Sequence, residues 1–97
     1  MTGEQARARW VEIFAALASE PRLQIVELLS HGRVHCQEIL GQIDLSQPAV
    51  SYHLGKLERA GVLAKERHGT RNCYQIREDV RGLFAALQKE DGTWITP

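Results

Sequence analysis

Residues 46 to 63 read SQPAVSYHLGKLERAGVL, and few segments leave a fold so little choice. Ser46 offers a hydroxyl to the backbone N–H groups that the first turn of a helix leaves unpaired. Pro48 falls in that first turn, where its fixed φ and missing N–H do no harm. Val50, Leu54 and Leu57 follow at i, i+4 and i+7, the spacing that lines one side of an α-helix. Gly61 stands where a left-handed residue ends a helix at least cost. Projected at about 100° per residue with that stripe inward, residues 47–59 turn Pro48, Ser51, Tyr52, Gly55, Lys56 and Arg59 outward, with His53 at the edge of the stripe. A merely solvated face usually mixes charges in i, i+4 pairs. This one holds cations and no acid.

The rest of the chain supplies a frame for that helix. Thr2 and Gln5 fit a capping box, and Trp10, Ile13, Phe14 and Leu17 predict a helix over residues 3–18. Ser19 and Pro21 restart the chain into a second helix, whose Leu23, Ile25, Val26, Leu28 and Leu29 mark it as the centre of the domain. Arg33 and Val34 suit a minimal strand before a third helix over about residues 35–42. The stretches VLAKERHG and TRNCYQIR around Gly69 form a hairpin signal. Glu78 and Asp79 begin a last helix with Val80, Leu83, Phe84 and Leu87 as its stripe, and residues 90–97 are expected to fray. The expected fold is mainly α with a small β-hairpin. It is a winged helix-turn-helix of about five helices plus a two-stranded wing, one domain over residues 1–97.

The chain has no net charge, yet the charge is unevenly placed. Residues 46–74 carry Lys56, Arg59, Lys65, Arg67 and Arg71 against Glu58 and Glu66, while acids outnumber cations on both sides. His53 and His68 lie in the same basic third and add charge at mildly acidic pH. An acid-free helix face followed at once by a basic hairpin fits double-stranded DNA, with the helix in the major groove and the wing over phosphates or the minor groove. The expected DNA-contacting set is Ser46, Gln47, Pro48, Ser51, Tyr52, His53, Lys56 and Arg59 on the helix with Arg67, His68, Thr70, Arg71 and Asn72 on the wing. Gly55 is expected to let the backbone come close.

Two other classes fit less well. A winged helix that binds an acidic protein partner would want an apolar anchor on that face, and there is none. An enzyme would want a phosphate loop, paired carboxylates or a nucleophile with its base, and none occurs at a usual spacing. The opening MTGEQARARWVEI lacks an apolar core of signal-peptide length, and no stretch is apolar enough to span a membrane. The expected location is the cytoplasm, where the two cysteines stay reduced.

FAALASEPRLQIVELL, SQPAVSYHLGKLERAGVL and KERHGTRNCYQI together resemble the ArsR/SmtB family of bacterial metalloregulatory repressors. The resemblance covers residues 14–76, about two thirds of the chain. It implies a homodimeric repressor that binds a palindromic operator and is released by an inducer. It also implies a dimer interface made by the first and last helices, for which Trp10, Phe14, Leu83, Phe84 and Leu87 are the expected seam. The arsenic- and cadmium-sensing members are similar to one another in a Cys-x-Cys pair on the first helix of the helix-turn-helix. Here those positions hold His35 and Gln37, with Cys36 between them. The family's other common site uses Asp and His ligands on the last helix, which has no His here. No cofactor is certain. A transition metal such as zinc or nickel held by His31, His35, Cys36 and Cys73 stays open, as does a thiol switch between Cys36 and Cys73. If Val34 pairs with Ile76, strand alternation sends the two thiols to opposite faces and disfavours the switch.

Overall fold

The computed structural model describes residues 1–32 and 34–97, and His35 by its backbone alone. The elements are α1 (Gly3–Leu17), α2 (Glu20–Leu29), β1 (Val34–His35), α3 (Cys36–Gln42), α4 (Gln47–Ala60), β2 (Leu63–His68) and β3 (Arg71–Ile76), then a 3-10 turn (Glu78–Val80) and α5 (Arg81–Leu87). The predicted helices and hairpin are all present. Their ends are set by local chemistry. At α1 the Thr2 hydroxyl accepts from the Gln5 N–H at 3.1 Å while the Thr2 N–H donates to Gln5 Oε1 at 2.8 Å. At α4 the Ser46 hydroxyl accepts from the Ala49 N–H at 3.2 Å. Gly61 closes α4 at φ 88°. The Gly61 N–H donates to the Glu58 carbonyl and the Val62 N–H to the Leu57 carbonyl, so two otherwise orphaned acceptors are satisfied.

α2 lies at the centre. Its Ile25, Val26 and Leu29 join Ile13 and Leu17 of α1, Ile39 of α3, Val50, Leu54 and Leu57 of α4, and Leu63, Tyr74 and Ile76 of the sheet in one core cluster. Each such side chain contributes about 1.5–3 kcal/mol by leaving water. The apolar stripe of α1 is wider than its inner contact, so it divides. Ile13 and Leu17 go inward, whereas Trp10 and Phe14 stay outside at 38 % and 54 % exposure.

The sheet differs from a simple hairpin. β3 is its middle strand, antiparallel to β2 on one side and β1 on the other, in the order β1-β3-β2. Val34 faces Tyr74 and His35 faces Cys73. That is a shift of two residues from the pairing expected with Ile76, and a shift by two preserves which face each side chain takes. Arg33, expected in this strand, lies outside the described residues.

The last third brings two corrections. Glu78 and Asp79 form the 3-10 turn instead of the first turn of α5. Asp79 accepts from Arg77 and, across from α1, from Arg9, and these hydrogen bonds hold its carboxyl below the usual carboxylate range. Residues 90–97, expected to fray, fold back: Gln88 bridges Trp94, Ile95 N–H donates to the Leu87 carbonyl, and Trp94 Nε1 donates to Glu27 Oε2 at 2.8 Å. The turn closes through Asp91, whose carboxylate accepts from the Thr93 N–H and hydroxyl. Gly92 sits at φ 85° directly over the His31 imidazole, where any side chain would collide.

Candidate nucleic-acid interface

The outer face of α4 carries the groups that helical projection placed there. Gln47, Pro48, Ser51, Tyr52, Lys56 and Arg59 are exposed, as is the capping Ser46. Tyr52 is 55 % exposed, and the Lys56 ammonium stands 5.6 Å from the centre of its ring, within cation–π range. Glu58 does not spoil the face, because it turns toward Lys65 of β2 at 3.8 Å. Gly55 lies under the side chain of Arg59. A Cβ there would lie 3.0 Å from Arg59 Nη1, the mobile end of an exposed side chain.

The wing presents Arg67, His68, Thr70 and Arg71 to solvent, with Asn72 half-buried. Gly69 makes the tip at φ 64°. Arg67 Nε donates to the Gly69 carbonyl at 3.1 Å, which holds the tip closed. His68 Nε2 is 3.5 Å from Glu66 Oε1. Helix and wing meet in a cleft of about 290 Å³ lined by Gln47 and Ser51 from α4, by Thr70, Arg71 and Asn72 from the wing, and by Gln37 and Glu38 from α3. Neither α3 residue belongs to the DNA-contacting set expected from sequence, since nothing local marks them for that role. The guanidinium, hydroxyl and carboxamide groups of this mixture suit phosphate oxygens and base edges, while the Glu38 carboxylate disfavours a phosphate on the α3 side.

His53 is the exception within the expected set. It is half-buried at the edge of the α4 stripe, and its Nδ1 lies 3.1 Å from Nη1 of Arg22. Burial first, and the Arg22 charge second, pull its pKa below the ordinary histidine value. The neutral ring that results can accept a hydrogen bond from the guanidinium.

The described candidate inducer residues fall at different places in the fold. Cys36 and Cys73 are free thiols. Cys36 lines the cleft beside α4, and burial pushes its thiol up; Cys73 is buried opposite the His35 backbone. His31 packs on Gly92 at the far end of α2. The side chain of His35 lies outside the described residues. Among the described residues no group of three or more His, Cys, Asp or Glu side chains could hold a metal ion. Among the described residues the donors therefore do not make up a metal centre.

A short helix, a tight turn, a helix with an acid-free outer face and a basic hairpin sharing one cleft with it define a winged helix-turn-helix DNA-binding domain. The chain belongs to the arsR family of bacterial regulatory proteins, whose family model matches residues 19–65. It is 39 % identical over 79 residues to the HTH-type transcriptional regulator Rv2034 of Mycobacterium tuberculosis, covering 81 % of this chain and 72 % of that one. It is 38 % identical over 81 residues to the arsenical resistance operon repressor of Escherichia coli, covering 82 % and 69 %. Its structure superposes with a TM-score of 0.79 and 31 % identity on the homodimeric winged helix-turn-helix DNA-binding domain Mb0332 from Mycobacterium bovis, covering 89 % and 82 %. The chain is a DNA-binding transcriptional regulator of this family.

Proposed function

We propose that two copies of this chain form a homodimer that binds a palindromic operator in the cytoplasm and represses transcription until an inducer releases it. The observation that carries this reading is the meeting of α4 and the wing at one cleft lined by Gln47, Ser51, Thr70, Arg71 and Asn72, with Lys56 and Arg59 exposed on the acid-free face of α4 and Arg67 exposed on the wing. The repressor named above and the homodimeric structural neighbour support repression and pairing. The seam is assigned to the outer side of α1, Trp10 and Phe14, with Leu87 at 44 % exposure and the half-buried Leu83 of α5. Phe84, expected in this seam, is 2 % exposed and packs in the core of its own subunit, because a helix as short as α5 needs that ring to hold it to the body. No helix among the described residues is long and apolar enough to cross a membrane.

With α4 in the major groove, the two half-sites stand about one helical turn, roughly 34–36 Å, apart. The test is a titration of a selected duplex against salt. A dimer that neutralises six to ten phosphates loses about 10³–10⁵ in affinity between 50 and 200 mM salt, and an affinity independent of salt would contradict the reading. Two variants separate the roles of helix and wing. Arg71→Ala is expected to weaken all duplexes alike and to lower the salt slope by about one per subunit. Tyr52→Ala is expected to re-rank duplexes of different sequence, with changes of about 1–3 kcal/mol at the positions it reads. An unchanged ranking would place Tyr52 off the base edges.

A further inference from the structure

We infer that Arg22 is a positioning residue for DNA recognition: its guanidinium donates at once to the end of α1 and to His53 of α4, and so sets the roll of the reading helix against the helix that carries the dimer seam. The inference rests on the DNA-binding reading above and assigns Arg22 no contact with DNA.

The geometry begins with an orphan. α1 ends at Leu17, which leaves its last carbonyls without partners from the helix itself. Arg22 Nε takes the carbonyl of Ala16. Its Nη1 takes Nδ1 of His53 at 3.1 Å, 31 residues further along the chain. The backbone of Arg22 is itself fixed, because its N–H caps onto the Ser19 hydroxyl in the first turn of α2. A planar fork can aim two donors in fixed directions, while an ammonium is one point on a flexible stem.

From His53 the path reaches the reading face within one residue. The His53 ring meets Tyr52 edge-on, with centroids 5.3 Å apart and planes at 71°. Tyr52 in turn lies under the Lys56 ammonium. α1 packs directly on α4, so rotation of α4 about its axis is resisted at two kinds of contact. Apolar side chains resist it loosely, and the Arg22 fork resists it with directional hydrogen bonds. In a dimer joined through α1, a change in that roll turns Tyr52 and Ser51 relative to the base edges of both half-sites. The phosphate-facing cations of the wing are untouched by it.

The test compares the native protein with Arg22→Lys on two duplexes: one recovered by the native protein from a randomised pool, and the same duplex with both half-sites scrambled. Lysine keeps the charge and most of the stem but not the fork. The ratio of the two affinities is expected to fall roughly three- to thirty-fold, the range in which substitutions along a coupling path act, while affinity for the scrambled duplex stays within about twofold. In a His53→Phe background Arg22→Lys is expected to change the ratio no further, because the partner it acts through is gone. In the native protein the ¹⁵N shift of His53 Nδ1 is expected to be that of an unprotonated acceptor. A ratio unchanged by Arg22→Lys, an equal loss on both duplexes, or a full additional loss in the His53→Phe background would overturn the inference. If the native protein itself enriched no duplex, the DNA-binding reading would fail first and take the inference with it.

Discussion

A Trp10→Glu/Phe14→Glu double variant is expected to be a folded monomer whose affinity for a duplex with both half-sites is about 10²–10⁴ lower than that of the native protein. The two rings stack at 5.9 Å with planes 31° apart on the outside of α1, while the inner side of the same helix is held by Ile13 and Leu17. Charges placed at positions 10 and 14 therefore spare the subunit core. In a seam between two copies these carboxylates would be buried together without cationic partners, at a cost that opposes pairing. Loss of the second copy removes the benefit of tethering: each α4 must find its half-site alone. Sedimentation measures the mass, and titration of one-site and two-site duplexes measures the affinity. A variant that remained a dimer would move the seam off α1.

Leu57→Ala is expected to lower stability by about 2–5 kcal/mol and the midpoint of thermal unfolding by on the order of 10–30 °C. Leu57 has no exposure and lies in the last turn of α4, where its carbonyl receives the Val62 N–H and Val62 is itself fully buried. Truncation leaves a cavity between α4 and the sheet at the point where the chain turns from reading helix to wing. Lys56→Ala, one residue away and exposed, is the matched control and is expected to change stability by no more than about 0.5 kcal/mol. Urea or thermal unfolding of the two variants side by side checks both numbers. Equal midpoints would mean that the α4 stripe does not anchor the domain.

The parts of the fold that sequence made legible are those whose chemistry is local. Ser46 and Gly61 bound α4 because a cap and a left-handed terminator act within four residues of themselves. The stripe of Val50, Leu54 and Leu57 is a property of one helix, so the opposite face could be projected from it. What was missed depends on partners far away in the chain. Trp94 looked like part of a loose end because its acceptor, Glu27, lies 67 residues earlier. Arg22 carried no signal because nothing near it suggests His53. The partner of Val34, Tyr74 rather than Ile76, is not legible because a strand of two residues contributes too few side chains to fix a register. Phe84 was assigned to the seam because a helical stripe states which side is apolar, and not whether that side meets the same chain or another.

Because β3 is paired on both edges at Cys73 and Tyr74, and β1 runs straight into α3, the hairpin is anchored to the body beyond its own two strands. Ladder bonds, rather than the entropy of a loop, fix the gap between its tip and the helix that reads. A duplex held by helix and wing together would have to match the opening that these ladders set, or deform toward it.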